Sequence, residues 1–115
     1  MKNKVQLIGN IGKDPVVTVT EKGKKVARFS VATNESKRNK EGEWETLTTW
    51  HQVVAWGSAA ELVEKKAGKG LEVAISGKLN QRNYTSKEGQ KKLITEIIAQ
   101  NMMIVSKNKP HKRPF

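Results

Sequence analysis

Apolar and polar residues alternate along most of this chain with a period of two, the pattern of strands that bury one face. Residues 4–8 place Val5 and Leu7 on one side and Gln6 on the other. Gly9, Gly12 and Asp14-Pro15 then read as a loop or bulge. Residues 16–20 are β-branched throughout and predict a strand, followed by a turn over 21–24 with Gly23 at its tip. The next strand spans 26–33. Ala27, Phe29 and Val31 share its apolar face, so Phe29 is assigned to the core, while Val26, Arg28 and Ser30 share the other. Residues 34–42 are polar and charged and predict an exposed, mobile loop. Alternation resumes over 47–56, with Trp50, Gln52, Val54 and Trp56 on one face and His51, Val53 and Ala55 on the other. One helix follows. Ser58 with Glu61 reads as a capping box; Ala59, Ala60, Leu62, Val63 and Ala67 form the apolar stripe, and Gly68 or Gly70 ends it. Strands are expected over 71–79 with a polar continuation over 80–85, then a hairpin turn over 86–90, and final strand segments at 92–99 and 102–105.

About five strands with one helix between the third and fourth predict an all-β protein with an OB-fold, a five-stranded Greek-key barrel. The length of 115 residues allows one domain. Its expected extent is 1–105, with 106–115 a short basic tail whose two prolines and cations predict disorder. A domain this small gains from oligomerisation. The absence of cysteine excludes disulfides and thiolate metal sites, and His51 and His111 lie too far apart to suggest a metal centre. No cofactor is expected. No apolar run approaches the length of a membrane span, and the first apolar stretch is too short for a signal peptide, so the expected location is cytoplasmic. Net charge changes the picture most: 22 Lys+Arg against 11 Asp+Glu leave +11, which points to a polyanionic partner, nucleic acid before anionic membrane.

Aromatic residues make up only 5% of the chain, yet two of three tryptophans, Trp50 and Trp56, share one face of one strand. Barrel cores are more usually filled by aliphatic side chains and Phe, although Trp56, next to Gly57, could plug the strand end. Tyr84 has the parity of Lys78, Asn80 and Arg82, a face with cations, an amide and a ring and no aliphatic residue. Such a face suits single-stranded DNA, because cations track phosphates and rings stack on bases. Lys37, Arg38 and Gln52 are the other candidate backbone contacts, although cations in a loop also serve simply as a solvated face. Trp44 is either packed back on its hairpin or exposed as a platform; packing is favoured. His51, opposite Trp50, reads as a core or interface residue. Glu41, Glu43 and Glu45 do not make a carboxylate cluster suited to a nuclease metal, so an enzyme is not expected. An OB-fold RNA-binding or replication-restart accessory protein is the alternative binding module.

Four stretches, KVQLIGNIGKDP (4–15), ARFSVATNES (27–36), TTWHQVVAWG (48–57) and YTSKEGQKK (84–92), resemble bacterial single-stranded DNA-binding proteins (SSB) over about residues 4–105. The resemblance implies an OB-fold that assembles as a homotetramer, wraps single-stranded DNA without sequence preference and serves DNA replication, recombination and repair. It implies stacking by Trp50, Trp56 and Tyr84 and a subunit-interface role for His51. A further aromatic position of the family falls on Lys37, leaving Trp44 as a candidate replacement. Members usually end in an acidic tip that closes on Pro-Phe and recruits partner proteins. Here Pro114-Phe115 follows Lys109, Lys112 and Arg113, so an acidic recruiting tip is not expected.

Overall fold

The computed structural model describes residues 2–106. Of the tail expected over 106–115, Ser106 ends the last strand and the rest lies outside the described residues. Seven elements follow in order: β1 (Val5–Ile11), β2 (Val16–Val19), β3 (Lys25–Arg38), β4 (Trp44–Trp56), α1 (Ser58–Lys66), β5 (Glu72–Thr85) and β6 (Lys91–Ser106). Neighbours in the sheet run β1-β5-β6-β4-β3-β2, and β1 also meets β3 at Asn10↔Ala32 and Ile11↔Val31. That contact closes a ring of five strands, β1-β5-β6-β4-β3, with α1 between its third and fourth strands in chain order. This is the expected OB-fold. The short β2 lies outside the ring, on the edge of β3, from Val16↔Arg28 to Val19↔Lys25.

The alternation read from the sequence decides which face turns inward. Ala27, Phe29 and Val31 of β3, Val53 and Ala55 of β4, and Val73 and Ile75 of β5 are all buried in one cluster. Ala60 and Val63 bring the inner stripe of α1 into the same cluster. In β6 the inward parity changes. Ile97 and Ala99 are buried, whereas Met102 and Ile104 are the residues that pack on the core beyond them. The cause is a bulge: the register steps from Ser76↔Asn101 to Gly77↔Ala99, leaving Gln100 as the extra residue. The two apolar segments separated in the sequence are therefore one strand.

Two expectations are corrected. The first is the loop over 34–42. β3 and β4 stay paired without a break as far as Arg38↔Trp44, so most of that segment is a two-stranded arm reaching past the barrel. Both faces of such an arm meet water, and no apolar alternation is needed to build it. Its turn is held by Asn39, whose Oδ1 accepts the N–H groups of Glu41 and Glu43, each at 2.9 Å. The second is the capping box. Ser58 is already helical and makes no cap bond; Gly57 is the N-cap, with φ 61°. A side chain is strained at that φ, so glycine makes the sharp strand-to-helix turn possible. β5 and β6 form a second arm, whose turn is the hairpin expected at 86–90, closed by Ser86 N–H to Gln90 O at 2.8 Å. The arms lengthen the molecule to 53 Å against widths of 36 and 33 Å.

Candidate nucleic-acid interface

The uninterrupted β3–β4 register places all three tryptophans on the outer pleat face. Trp56 lies opposite Val26, Gln52 opposite Ser30, Trp50 opposite Ala32 and Trp44 opposite Arg38. Trp50 is 55% exposed and Trp56 42%, so neither plugs the core. Between them Val54 and Val26 are buried, giving the face a small apolar patch of its own. Trp50 rests on Gly12: a Cβ at that position would lie 2.3 Å from its Cζ3 and 2.8 Å from its Cη2. Glycine there leaves room for the indole edge to lie against the backbone. The sequence shows Gly12 only as a chain break, and nothing in its spacing signals this contact.

Trp56 borders a depression shared with Val19, Lys24, Lys25 and Ser58. Lys25 is not free in it. Its ammonium donates to Glu64 at 2.6 Å, and that hydrogen bond raises its pKa above the ordinary lysine value. Lys24, at the turn, keeps an exposed side chain.

On the second arm, Lys78, Arg82 and Tyr84 share the outer face, with Tyr84 opposite Lys92. Tyr84 is 38% exposed. Arg82 is partly committed: its Nε donates to Glu96 at 3.0 Å, and Glu96 is buried. A cleft of about 250 Å³ separates the arms, lined on one side by Trp50, His51 and Gln52 and on the other by Leu79, Thr95 and Glu96. It arises because β4 and β6 pair only from Val53↔Ile97 to Ala55↔Ala99 and diverge below.

The remaining candidates divide. Arg38 is on the tryptophan face; its guanidinium stands 5.4 Å from the centre of the Trp44 ring and donates to Gly42 O at 3.3 Å. Lys37 is on the opposite pleat face, in register with Glu45, and does not join that group. Trp44 is 69% exposed, so the favoured packing against the hairpin is corrected. It sits at the arm's far end, too far from the barrel to reach its core. His51 is half-buried on the inner face, its Nε2 3.0 Å from Thr33 Oγ1. Among the described residues no group of three or more His, Cys, Asp or Glu side chains is placed to hold a metal ion. No described helix is long and apolar enough to cross a membrane.

A closed five-strand barrel whose outer faces carry exposed rings on β4 and cations on β3 and β5 defines an OB-fold of the oligonucleotide-binding kind. The family model for the single-strand binding protein family matches residues 2–105, and the chain belongs to that family. It is similar to single-stranded DNA-binding protein 1 of Xylella fastidiosa, 39% identical over 112 residues that cover 96% of this chain and 82% of that one. Single-stranded DNA-binding protein 1 of Chlorobaculum tepidum is 38% identical over 104 residues, 90% of this chain and 64% of the relative. Among solved structures, an SSB of Plasmodium falciparum in complex with ssDNA matches with a TM-score of 0.84 and 34% identity, covering 92% of this chain and 97% of that one.

Proposed function

We propose that this protein binds single-stranded DNA without base specificity, protecting exposed strands during replication, recombination and repair in the cytoplasm. The observation that carries it is the pair of exposed rings, Trp50 and Trp56, on one outer strand face of a chain with net charge +11. Two physical terms then act together. Lysines and arginines release counterions from phosphates, which gives affinity that falls with salt. Trp50, Trp56 and Tyr84 offer faces to unpaired bases, each stack worth about 1–3 kcal/mol. Neither term reads base edges. Duplex DNA keeps its bases stacked and leaves the rings unused. Lys78, Arg82, Arg38 and Gln52 are the proposed groove contacts; Lys37, on the far face of the arm, contributes only long-range charge. Binding, not catalysis, is the activity.

We further propose that four copies assemble. Ile8, Ala74 and Met103 form an apolar row across the outer face of β1, β5 and β6, in register with one another. Ile8 is 63% and Met103 66% exposed, an unusual amount of apolar surface for a small domain to leave in water. Val5 to Ile8 pair with β5 alone among the described residues, so the other edge of β1 is open to a strand from a second copy. The resemblance puts His51 at a subunit contact, and its half-burial leaves it reachable there.

Competition binding tests the activity. Labelled oligo-dT is displaced by unlabelled single strands and by duplex in fluorescence anisotropy at moderate salt. Preference for single strands of any base composition supports the proposal. Equal displacement by duplex would reduce the protein to a generic cation surface, and displacement by RNA alone would favour the accessory-protein reading.

A further inference from the structure

We infer that Trp44 and Arg38 form a separate stacking station for single-stranded DNA at the far end of the β3–β4 arm. The inference rests on the single-strand-binding reading above and extends it to a site outside the barrel. Trp44 is the most exposed aromatic among the described large hydrophobic residues, at 69%. An indole left that open gains little from burial. It is not needed to hold the turn, because Asn39 already does so through Glu41 and Glu43. A cation meets its ring: Arg38 stands 5.4 Å from the ring centre and is itself steadied by Gly42 O. A guanidinium against one part of an open indole supplies what a nucleotide needs, a face for the base and a charge for its phosphate.

The path from Trp44 back to Trp50 is suited to the same ligand. Both lie on one pleat face, six residues apart, a rise of about 20 Å. That distance takes roughly six bases at the 3.4 Å stacking repeat, and fewer when the strand is extended. The face between them carries Thr46 and Thr48, with Ser36 and Asn34 opposite. These are short hydrogen-bonding side chains; none is bulky enough to block a strand. Thr48 and Asn34 already bond to each other at 2.7 Å, which keeps the surface low. Lys37 cannot provide this station, since it lies across the arm beside Glu45.

The test uses full-length protein with Trp50 and Trp56 both replaced by Phe, leaving Trp44 as the sole indole, titrated with long oligo-dT. A companion with Trp44→Phe and Trp56→Phe reports on Trp50 alone. Quenching of Trp44 by oligo-dT, and not by duplex, is the expected result. In an otherwise wild-type chain, Trp44→Leu is expected to weaken long oligo-dT about five- to 150-fold, with Trp44→Phe recovering part of that loss. Arg38→Lys should retain the salt dependence and still lose affinity, because the planar contact is gone. A silent Trp44 beside a quenched Trp50 would overturn the station and leave the binding proposal standing. Silence in both, with no binding, would overturn both. A Trp44 emission that shifts with protein concentration in the absence of DNA would show that a second copy covers the ring, and would also overturn the station.

Discussion

Gly12→Ala isolates how the barrel presents Trp50. A methyl built at Gly12 would lie 2.3 Å from Trp50 Cζ3, whereas ordinary contacts begin near 3.4 Å, so the ring must move by about 1.1 Å. It can move, because Trp50 is 55% exposed. Gly12 does not occupy the left-handed region, so alanine fits its backbone. The crowding is relieved by the ring swinging outward, and alanine also lowers unfolded-state entropy by about 0.4–1 kcal/mol. Stability should therefore change by no more than about 1 kcal/mol. Binding should suffer more. A ring displaced from its bed loses part of a stack worth about 1–3 kcal/mol, a factor of about five to 150 in Kd if lost entirely. The assay is oligo-dT affinity by anisotropy for wild type, Gly12→Ala, Trp50→Ala and the double variant, with thermal unfolding of each. If Gly12 acts through Trp50, its effect disappears in the Trp50→Ala background. Wild-type affinity in Gly12→Ala, or an equal loss with and without Trp50, would refute the reasoning.

Three further outcomes follow from the geometry. Arg38→Gln should lower the slope of log K against log salt by about 0.7, while Lys37→Ala changes it less, measured by salt titration of oligo-dT binding. Arg82→Met should destabilise the fold by about 1–3 kcal/mol in urea unfolding, because Glu96 is left buried without its donor. Adding Glu96→Gln should recover part of that loss. Ile8→Glu should convert the assembly to smaller species by light scattering, since it charges the β1 end of the apolar row on β1, β5 and β6.

The barrel was readable from sequence because its strands bury one face, and burial imposes alternation. Ala27, Phe29, Val31, Val53 and Val73 announce the core by parity alone. The β3–β4 arm was not readable for the same reason in reverse, whereas the polar strand and hairpin of the second arm were. Residues 34–38 and 44–48 pair as strands with both faces in water, and polar residues satisfy both sides. Their order comes from cross-strand bonds and the Asn39 turn, which leave no hydrophobic period. Losing that register also hid the site's finer features. Arg38 meets Trp44, and Lys37 turns away, only because the pairing runs unbroken to the tip. The capping box failed because Gly57 makes the helix turn through its backbone, so Ser58 falls one residue too late to cap. Gly12 carries no chemical signal of its own; its role is the space it leaves for a residue 38 positions further on (Trp50 − Gly12).

Intrinsic tryptophan fluorescence during titration with oligo-dT, at low and moderate salt and against a duplex control, tests the central claim most directly. Strong quenching by single strands that survives moderate salt, reduced to the Trp44 share when Trp50 and Trp56 are both replaced by Phe, is the predicted result. Binding without quenching, equal for duplex and abolished by the same salt, would contradict it. The exposed rings would then play no part, and the affinity would belong to the net charge alone.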